Sequence, residues 1–488
     1  MKKIITTLVL LGCCSGFSHF ASANDNKAKL MEKVVSAYGG ESFLQLKSLN
    51  VKDTYKSFRY GQSESPTAVD LVSYRSDSTI DFINKRKNFK WIRGDKDSFS
   101  IQHQLFDGKQ GYQLNHNLKT LSMNPNLSYA RTDRRHFYYL DTALAVLLNR
   151  NLSDAKVIGE EVTFDSTLVK VLLTMQGYEE LTLYVDKETG LIVKMSKADW
   201  QPGKLFIYNY SAVKQQQEIT FASSTYVTRG GQPYMVSVAR EIAINPELSQ
   251  AFNLPENYQD NAPTLAFSEM IAEQLSDNIY LAGQDWGFSV FLDAGDYFIG
   301  TGGYEDLGLR LAAVQKLVGN DKPLKYQVVS HHHIDHLEGM KEANELGVQF
   351  ISVKEHQAKI KELAYADIAP ERFEVVAGKA SFADGALKVF DFASGHATHN
   401  LVSYFPEAKL IFTADMFFSR KVSGSPSGGE TLQLLANRLS EEKYDVERFA
   451  AAHSGRVLTA EDFNYALSHE VESQCPKTWQ ICQGFNQD

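Results

Sequence analysis

The chain has 488 residues, 43% apolar and 11% aromatic, with a formal net charge of −9. Single cores stop growing at roughly 250–300 residues, so more than one domain is expected. The mildly acidic balance contains no clustered block of Lys and Arg, which argues against a nucleic-acid groove.

At the N-terminus Lys2 and Lys3 precede an apolar run from Ile4 to Leu11, and small residues lead to Ala21-Ser22-Ala23. That order predicts a secretory signal peptide over residues 1–23, hence a periplasmic or secreted protein. The run is too short for a membrane span of about 20 residues. A competing reading takes Leu10-Leu11-Gly12-Cys13 as a lipoprotein site with Cys13 lipidated, although Leu11 is bulky for its place. Removing residues 1–23 takes away two lysines and no acids, moving the net charge from −9 to −11. It also leaves Cys475 and Cys482 as the remaining cysteines, which in an oxidising compartment predict a short-loop disulfide in a C-terminal tail, 471–488.

Residues 24–245 read as a β-rich N-terminal domain. A helical pattern (Leu30, Val34, Val35, Tyr38) ends at Gly39-Gly40. Strand-like segments follow, such as Leu71 to Tyr74 and Leu181 to Val185, with turn chemistry at Asp186 to Gly190 before a strand at Leu191 to Met195. One helix-like stretch, Asp141 to Leu148, interrupts them. The expected architecture is a curved antiparallel sheet partly covered by helices. Its strand-and-turn rhythm resembles the half-barrel domains of periplasmic lipoprotein carriers, which implies docking, membrane or lipid association, beside the plainer reading of a structural domain. His103, His116 and His136 are scattered here and read as ordinary polar contacts.

A linker over 246–266 carries Pro246, Pro255 and Pro263. Over 267–470 strands alternate with helices: strands at 279–281, 297–299, 325–330, 348–353, 387–390, 401–405 and 410–413, helices at 307–317 and 337–346. The whole is an α+β chain of two domains, the second made of layered sheets with helices outside.

The chemistry concentrates at Val328-Val329-Ser330-His331-His332-His333-Ile334-Asp335-His336, where an apolar strand runs into four histidines and an aspartate. Imidazole and carboxylate suit borderline-soft zinc. A strand end can send His331 and His333 to one side and Asp335 with His336 to the other, which suits two metals sharing a water. A surface tract or tag would not interleave an aspartate or follow a buried strand.

The pattern His-x-His-x-Asp-His at 331–336 resembles the signature of the metallo-β-lactamase superfamily. Further pieces follow in that family's order: Gly395-His396-Ala397-Thr398-His399-Asn400, then Ile411-Phe412-Thr413-Ala414-Asp415, then Ala452-His453-Ser454-Gly455. The resemblance implies an αβ/βα sandwich in which His331, His333 and His396 hold one zinc and Asp335, His336 and His453 a second, with Asp415 bridging. It further implies a metal-bridging hydroxide that attacks an ester, thioester, lactone or phosphoester-like small molecule, with Asp335 assisting proton transfer to the leaving group. His332 is expected to point away from the metals, and His399 is kept off the ligand set. Ser423 to Gly429 reads as a pocket rim or a plain surface loop. Gly300 stands where many members carry aspartate, and Glu338-Gly339 where Gly-Gly is common; neither removes a ligand.

Asp415 at the bridging position, where class B1 β-lactamases have cysteine, argues against a true carbapenemase. The alternatives are β-lactamase activity, a mononuclear iron centre like that of persulfide dioxygenases, and a binding protein stabilised by its metal. Ligand type alone does not separate zinc from iron. The oligomeric state is not legible.

Overall fold

The computed structural model describes residues 17–94, 99–199, 201 and 203–483; the first part of the expected signal peptide, residues 1–16, lies outside them. None of the helices described is long and apolar enough to cross a membrane. The chain divides into two compact units: residues 1–56, 74–89 and 129–252, and residues 57–73, 90–128 and 253–488. Segments 57–73 and 90–128, expected in the N-terminal domain, thus cluster with the C-terminal unit. The physical reason is local: they hydrogen-bond and pack there, as described below.

In the first unit seven long segments from Ala155–Val162 through Gln232–Ile244 form a meander of successive antiparallel pairs. The register alternates buried and exposed residues, as in Leu181–Asp186, where Leu181, Leu183 and Val185 are buried. The helix Asp141–Arg150 is buried along nearly its whole length, so it is apolar all round except where polar atoms find partners. Tyr38 Oη donates to Asp141 Oδ2 (2.9 Å), and Ala222 N donates to Asp141 Oδ1 (2.9 Å). Arg240 forms a two-pronged pair with Asp53 (2.7 and 2.9 Å), and its remaining nitrogen donates to Ala222 O (2.8 Å).

The second unit contains a seven-stranded sheet, running in order from Ile271–Ser276 to Phe373–Val375, and a six-stranded sheet from Lys379–Phe382 to Ser454–Thr459. One apolar core takes Leu281, Val290, Ile299, Val328 and Ile351 from the first sheet and Val389, Leu401, Leu410 and Phe412 from the second. Their neighbours in sequence point the other way. Phe291, Phe298, Val329 and Phe350 pack against the helices Leu307–Val318, Met340–Glu345 and Gln357–Ala364. Phe390, Val402 and Ile411 pack against Glu430–Glu442 and Ala460–Ser468. The result is helix, sheet, sheet, helix: strands buried on both faces need continuous apolar runs, and these strands have them. The expected helix at 337–346 is shorter, Met340–Glu345, because Ile334–His336 forms a tight 3₁₀ turn first.

The tail is stapled as expected, with a Cys475–Cys482 disulfide. Both cysteines, Trp479 and Ile481 are buried with Ile92, and Phe99 and Ile101 pack on them. His103 and His116 are not scattered: antiparallel pairing of Phe99–Phe106 with Gly111–Asn115 brings them together. Their rings stack and share a 2.8 Å Nδ1···Nε2 contact, while Tyr258 Oη meets His116 Nδ1 at 2.6 Å. Those hydrogen bonds make the pair a closed polar contact.

Candidate metal centre

The parallel strands Phe298–Thr301 and Leu324–Val328 end in register at Thr301 and Val328, and the histidine turn leaves from that edge. His331, His333 and His336 are almost fully buried, while Asp335, Asp415 and His396 keep partial exposure and open the cluster on one side. Asp415 follows Leu410–Phe412 through Ala414, a non-glycine residue at φ +50°. Such backbone is sparsely populated and persists where surrounding contacts enforce it. Here Ala452 N donates to Ala414 O (3.0 Å), tying the aspartate turn to the His453 turn.

All seven residues singled out in the sequence meet. His331, His333, His396 and Asp415 form one donor group and Asp335, His336 and His453 a second, each with donor atoms within 4.8 Å of one another. Asp415 spans both. Its Oδ2 lies 3.1 Å from His396 Nε2 and 3.8 Å from His331 Nε2. Its Oδ1 lies 2.8 Å from His336 Nε2 and 3.1 Å from His453 Nε2. Asp335 Oδ2 stands 3.6 Å from His453 Nε2 and 3.8 Å from His336 Nε2.

The outward nitrogens have partners. Nδ1 of His331 and of His336 meets Ser330 Oγ at 3.3 and 3.4 Å. His453 Nδ1 meets Tyr304 Oη (2.7 Å) and Trp286 O (3.2 Å), and the Trp286 ring stacks on its imidazole. Such partners fix which ring nitrogen presents its lone pair. Three of the inward atoms do not: His333 Nδ1, His336 Nε2 and Asp415 Oδ1 are buried without a hydrogen bond. The last two are close but meet outside hydrogen-bond geometry. Buried polar atoms are otherwise almost always paired, so a set of them converging from imidazole and carboxylate fits a divalent metal.

Electrostatics agree. Burial, then the neighbouring His336, keeps His331 well below the ordinary imidazole range, and burial with His396 pulls His333 down to about 2. Both are therefore neutral and able to ligate. Burial also opposes charge on His336, but Asp415 and Asp335 outweigh it and push that ring up to about 9. Burial opposes charge on Asp415 too, yet His336 and His453 hold it well below the carboxylate range.

His332 turns away, its Nε2 donating to Ser63 O (2.9 Å) and its ring lying against His356. His399 pairs with Asp391 (2.7 Å) rather than joining the cluster. At Gly300 an added Cβ would sit 2.5 Å from Gln327 Oε1; the buried Gln327 carboxamide fills the space an aspartate would need. Sequence reading missed Trp286, Tyr304 and the 61–64 segment, none of which carries a local motif.

No family model matches the chain. Hydroxyacylglutathione hydrolase of Brucella ovis is 32% identical over 110 residues, which is 21% of this chain and 39% of the relative; the chain thus spans about two fifths of the length of the curated relatives it matches. Among solved structures, the DIM-1 metallo-β-lactamase gives a TM-score of 0.35 at 18% identity, covering 42% of this chain and 97% of that one. A metallo-β-lactamase from Pontibacter korlensis gives 0.33 at 18%, covering 41% and 98%. The ordered motifs, the paired donor groups spanned by Asp415 and the stretch shared with hydroxyacylglutathione hydrolases make the chain similar to metal-dependent hydrolases of the metallo-β-lactamase superfamily.

Proposed function

We propose that the chain is a binuclear zinc hydrolase that cleaves thioesters and related acyl compounds. The observation that carries this reading is Asp415, whose two oxygens face separate histidine sets. When bound, paired zinc ions supply Lewis acidity that lowers the pKa of water toward about 7 and polarises a scissile carbonyl. The chain does the rest. His331, His333 and His396 hold one position, and Asp335, His336 and His453 the other. Asp335 is partly exposed beside His336 and His453, so its carboxylate is the group placed to take a proton and return it to the leaving group. Tyr304 Oη and the Trp286 carbonyl meet His453 Nδ1 and hold the orientation of its ring.

The thioester preference is supported by the Brucella relatives' name and by the cluster's surroundings. Trp286 and Phe418 flank His453 with ring centroids at 5.1 and 5.5 Å. The exposed Arg420 guanidinium lies 6.0 and 5.9 Å from those two rings. Among the described residues no carboxylate comes within ion-pair distance of it, which suits an acyl substrate with an anionic end. Export is proposed from the basic, apolar, small order of residues 2–23 and from the Cys475–Cys482 disulfide.

The test is elemental analysis of the purified chain followed by assay on an acyl-glutathione thioester, a lactone and a phosphodiester. About two zinc ions per chain are expected, with thioester cleavage abolished by a chelator and restored by zinc. One iron per chain, with oxygen uptake on a persulfide, overturns the reading.

A further inference from the structure

Residues 59–70 form a loop that braces itself. Arg59 N donates to Asp70 O (2.9 Å), Ser63 Oγ donates to Arg59 O (2.7 Å), and Asp70 accepts from Glu64 N (2.9 Å). The loop belongs to the same compact unit as the metal centre and is tied to both of its ligand turns. Ile334 N donates to Gly61 O (2.9 Å), and Thr398 N donates to Glu64 O (2.8 Å). Gly61 sits at φ +64°, and a Cβ there would lie 2.3 Å from Ile334 Cγ1, so only glycine allows the approach.

Two contacts from this loop reach the donor residues themselves. Gln62 Nε2 donates to Asp335 Oδ1 at 2.7 Å, leaving Oδ2 as the oxygen directed at His336 and His453. The Ser63 carbonyl accepts from His333 Nε2 at 3.0 Å. A carbonyl can only accept, so this bond puts the proton on Nε2 and leaves the unpartnered Nδ1 as a lone pair facing the cluster. His331, His336 and His453 carry the opposite arrangement, with Nδ1 turned outward.

We propose that Gln62 and the Ser63 backbone carbonyl are positioning groups of the metal centre, Gln62 aiming the Asp335 carboxylate at the second metal and Ser63 fixing the His333 tautomer for the first. The centre is then completed by a segment 273 residues away in sequence from the aspartate it orients. This rests on the metal-centre reading, and its test separates the two.

The wild-type chain is first titrated with zinc against a competing chromophoric chelator, and the variants Gln62→Ala and Gln62→Glu are titrated beside it, with the thermal midpoint of each metal-free chain recorded. The alanine variant removes the donor. The glutamate variant keeps the size but turns an acceptor toward Asp335. Orienting partners of metal ligands are worth roughly 10–100-fold in affinity, so the weaker zinc position is expected to loosen by that factor in Gln62→Ala and by more in Gln62→Glu. The stronger position and the metal-free midpoint stay unchanged. Wild-type binding of no zinc defeats the metal-centre reading itself. Wild-type binding of two with unchanged affinities in both variants, or equal loosening of both positions together with a lower metal-free midpoint, overturns the role given to Gln62.

Discussion

Each compact unit buries a cluster of charged groups, and the two are built on opposite rules. In the first unit Asp53 gives both carboxylate oxygens to Arg240, and Asp141 accepts from Tyr38 Oη and Ala222 N, so the polar atoms find their partners inside the fold. In the second, His333 and His336 are satisfied on their outward nitrogens and left open on the inward ones, as is one oxygen of Asp415. A closed network stabilises or specifies a fold; an open one converging on a point needs something the polypeptide does not provide. The His103–His116 pair sharpens the distinction. It is a second histidine cluster in the same unit as the metal centre, but its rings bond to each other and to Tyr258.

That contrast breaks most visibly at Asp415. Asp415→Ala removes the carboxylate shared by both donor groups, and thioester activity should fall by about 10³-fold or more, with metal content dropping toward zero. The fold should survive, because His336, unlike Arg240, can shed its proton and stay neutral once Asp415 no longer opposes the effect of burial. Unfolding of the variant in place of metal loss would mean the cluster is structural. Asp53→Ala is the mirror experiment. It leaves Arg240 buried without its counter-charge, at a cost of about 3–5 kcal/mol. Urea denaturation should register that loss while zinc stoichiometry stays at the wild-type value.

A smaller effect is expected at Lys87, fully buried in the first unit, with its Nζ 3.1 Å from Thr132 O and over the Phe137 ring. Burial lowers this ammonium to about 8, partly opposed by Asp133. The unfolded chain, with an ordinary lysine near 10.4, therefore binds more protons between those values, so the lysine's penalty is full below pH 8 and is relieved as pH rises toward 10.4. Relative to Lys87→Met, the wild type should gain up to about 3 kcal/mol across that window in urea titrations. Parallel profiles for the two chains would show that the ammonium keeps its solvent.

Much of the second unit was legible because its signals are local. The apolar strand before His331, the spacing within 331–336 and an aspartate just after Leu410–Phe412 are short-range patterns, and the expected strands at 279–281, 387–390 and 401–405 fall within strands of the structure, while that at 410–413 runs one residue past its strand. Six further strands of its seven- and six-stranded sheets and three helices, including Gln357–Ala364 and Glu430–Glu442, carry no such signal in the sequence. Short, doubly buried strands carry no alternation to distinguish them from buried helix. The 59–70 loop was invisible for another reason. Nothing in Gly61-Gln62-Ser63 marks it as anything but a turn, and its bonds to Asp335 and His333 run through backbone atoms and a carboxamide.

The sequence by itself determined which residues could bind metal, since ligand chemistry resides in side-chain type and the turn at 331–336 is encoded within a few residues. Tertiary structure alone decided which nitrogen each histidine turns inward, that Asp415 faces both sets, and that Gln62 and Ser63 stand behind Asp335 and His333. Those outcomes depend on angles and approaches of about 3 Å between segments distant in the chain, which are fixed only when the two sheets and their loops close on a common core.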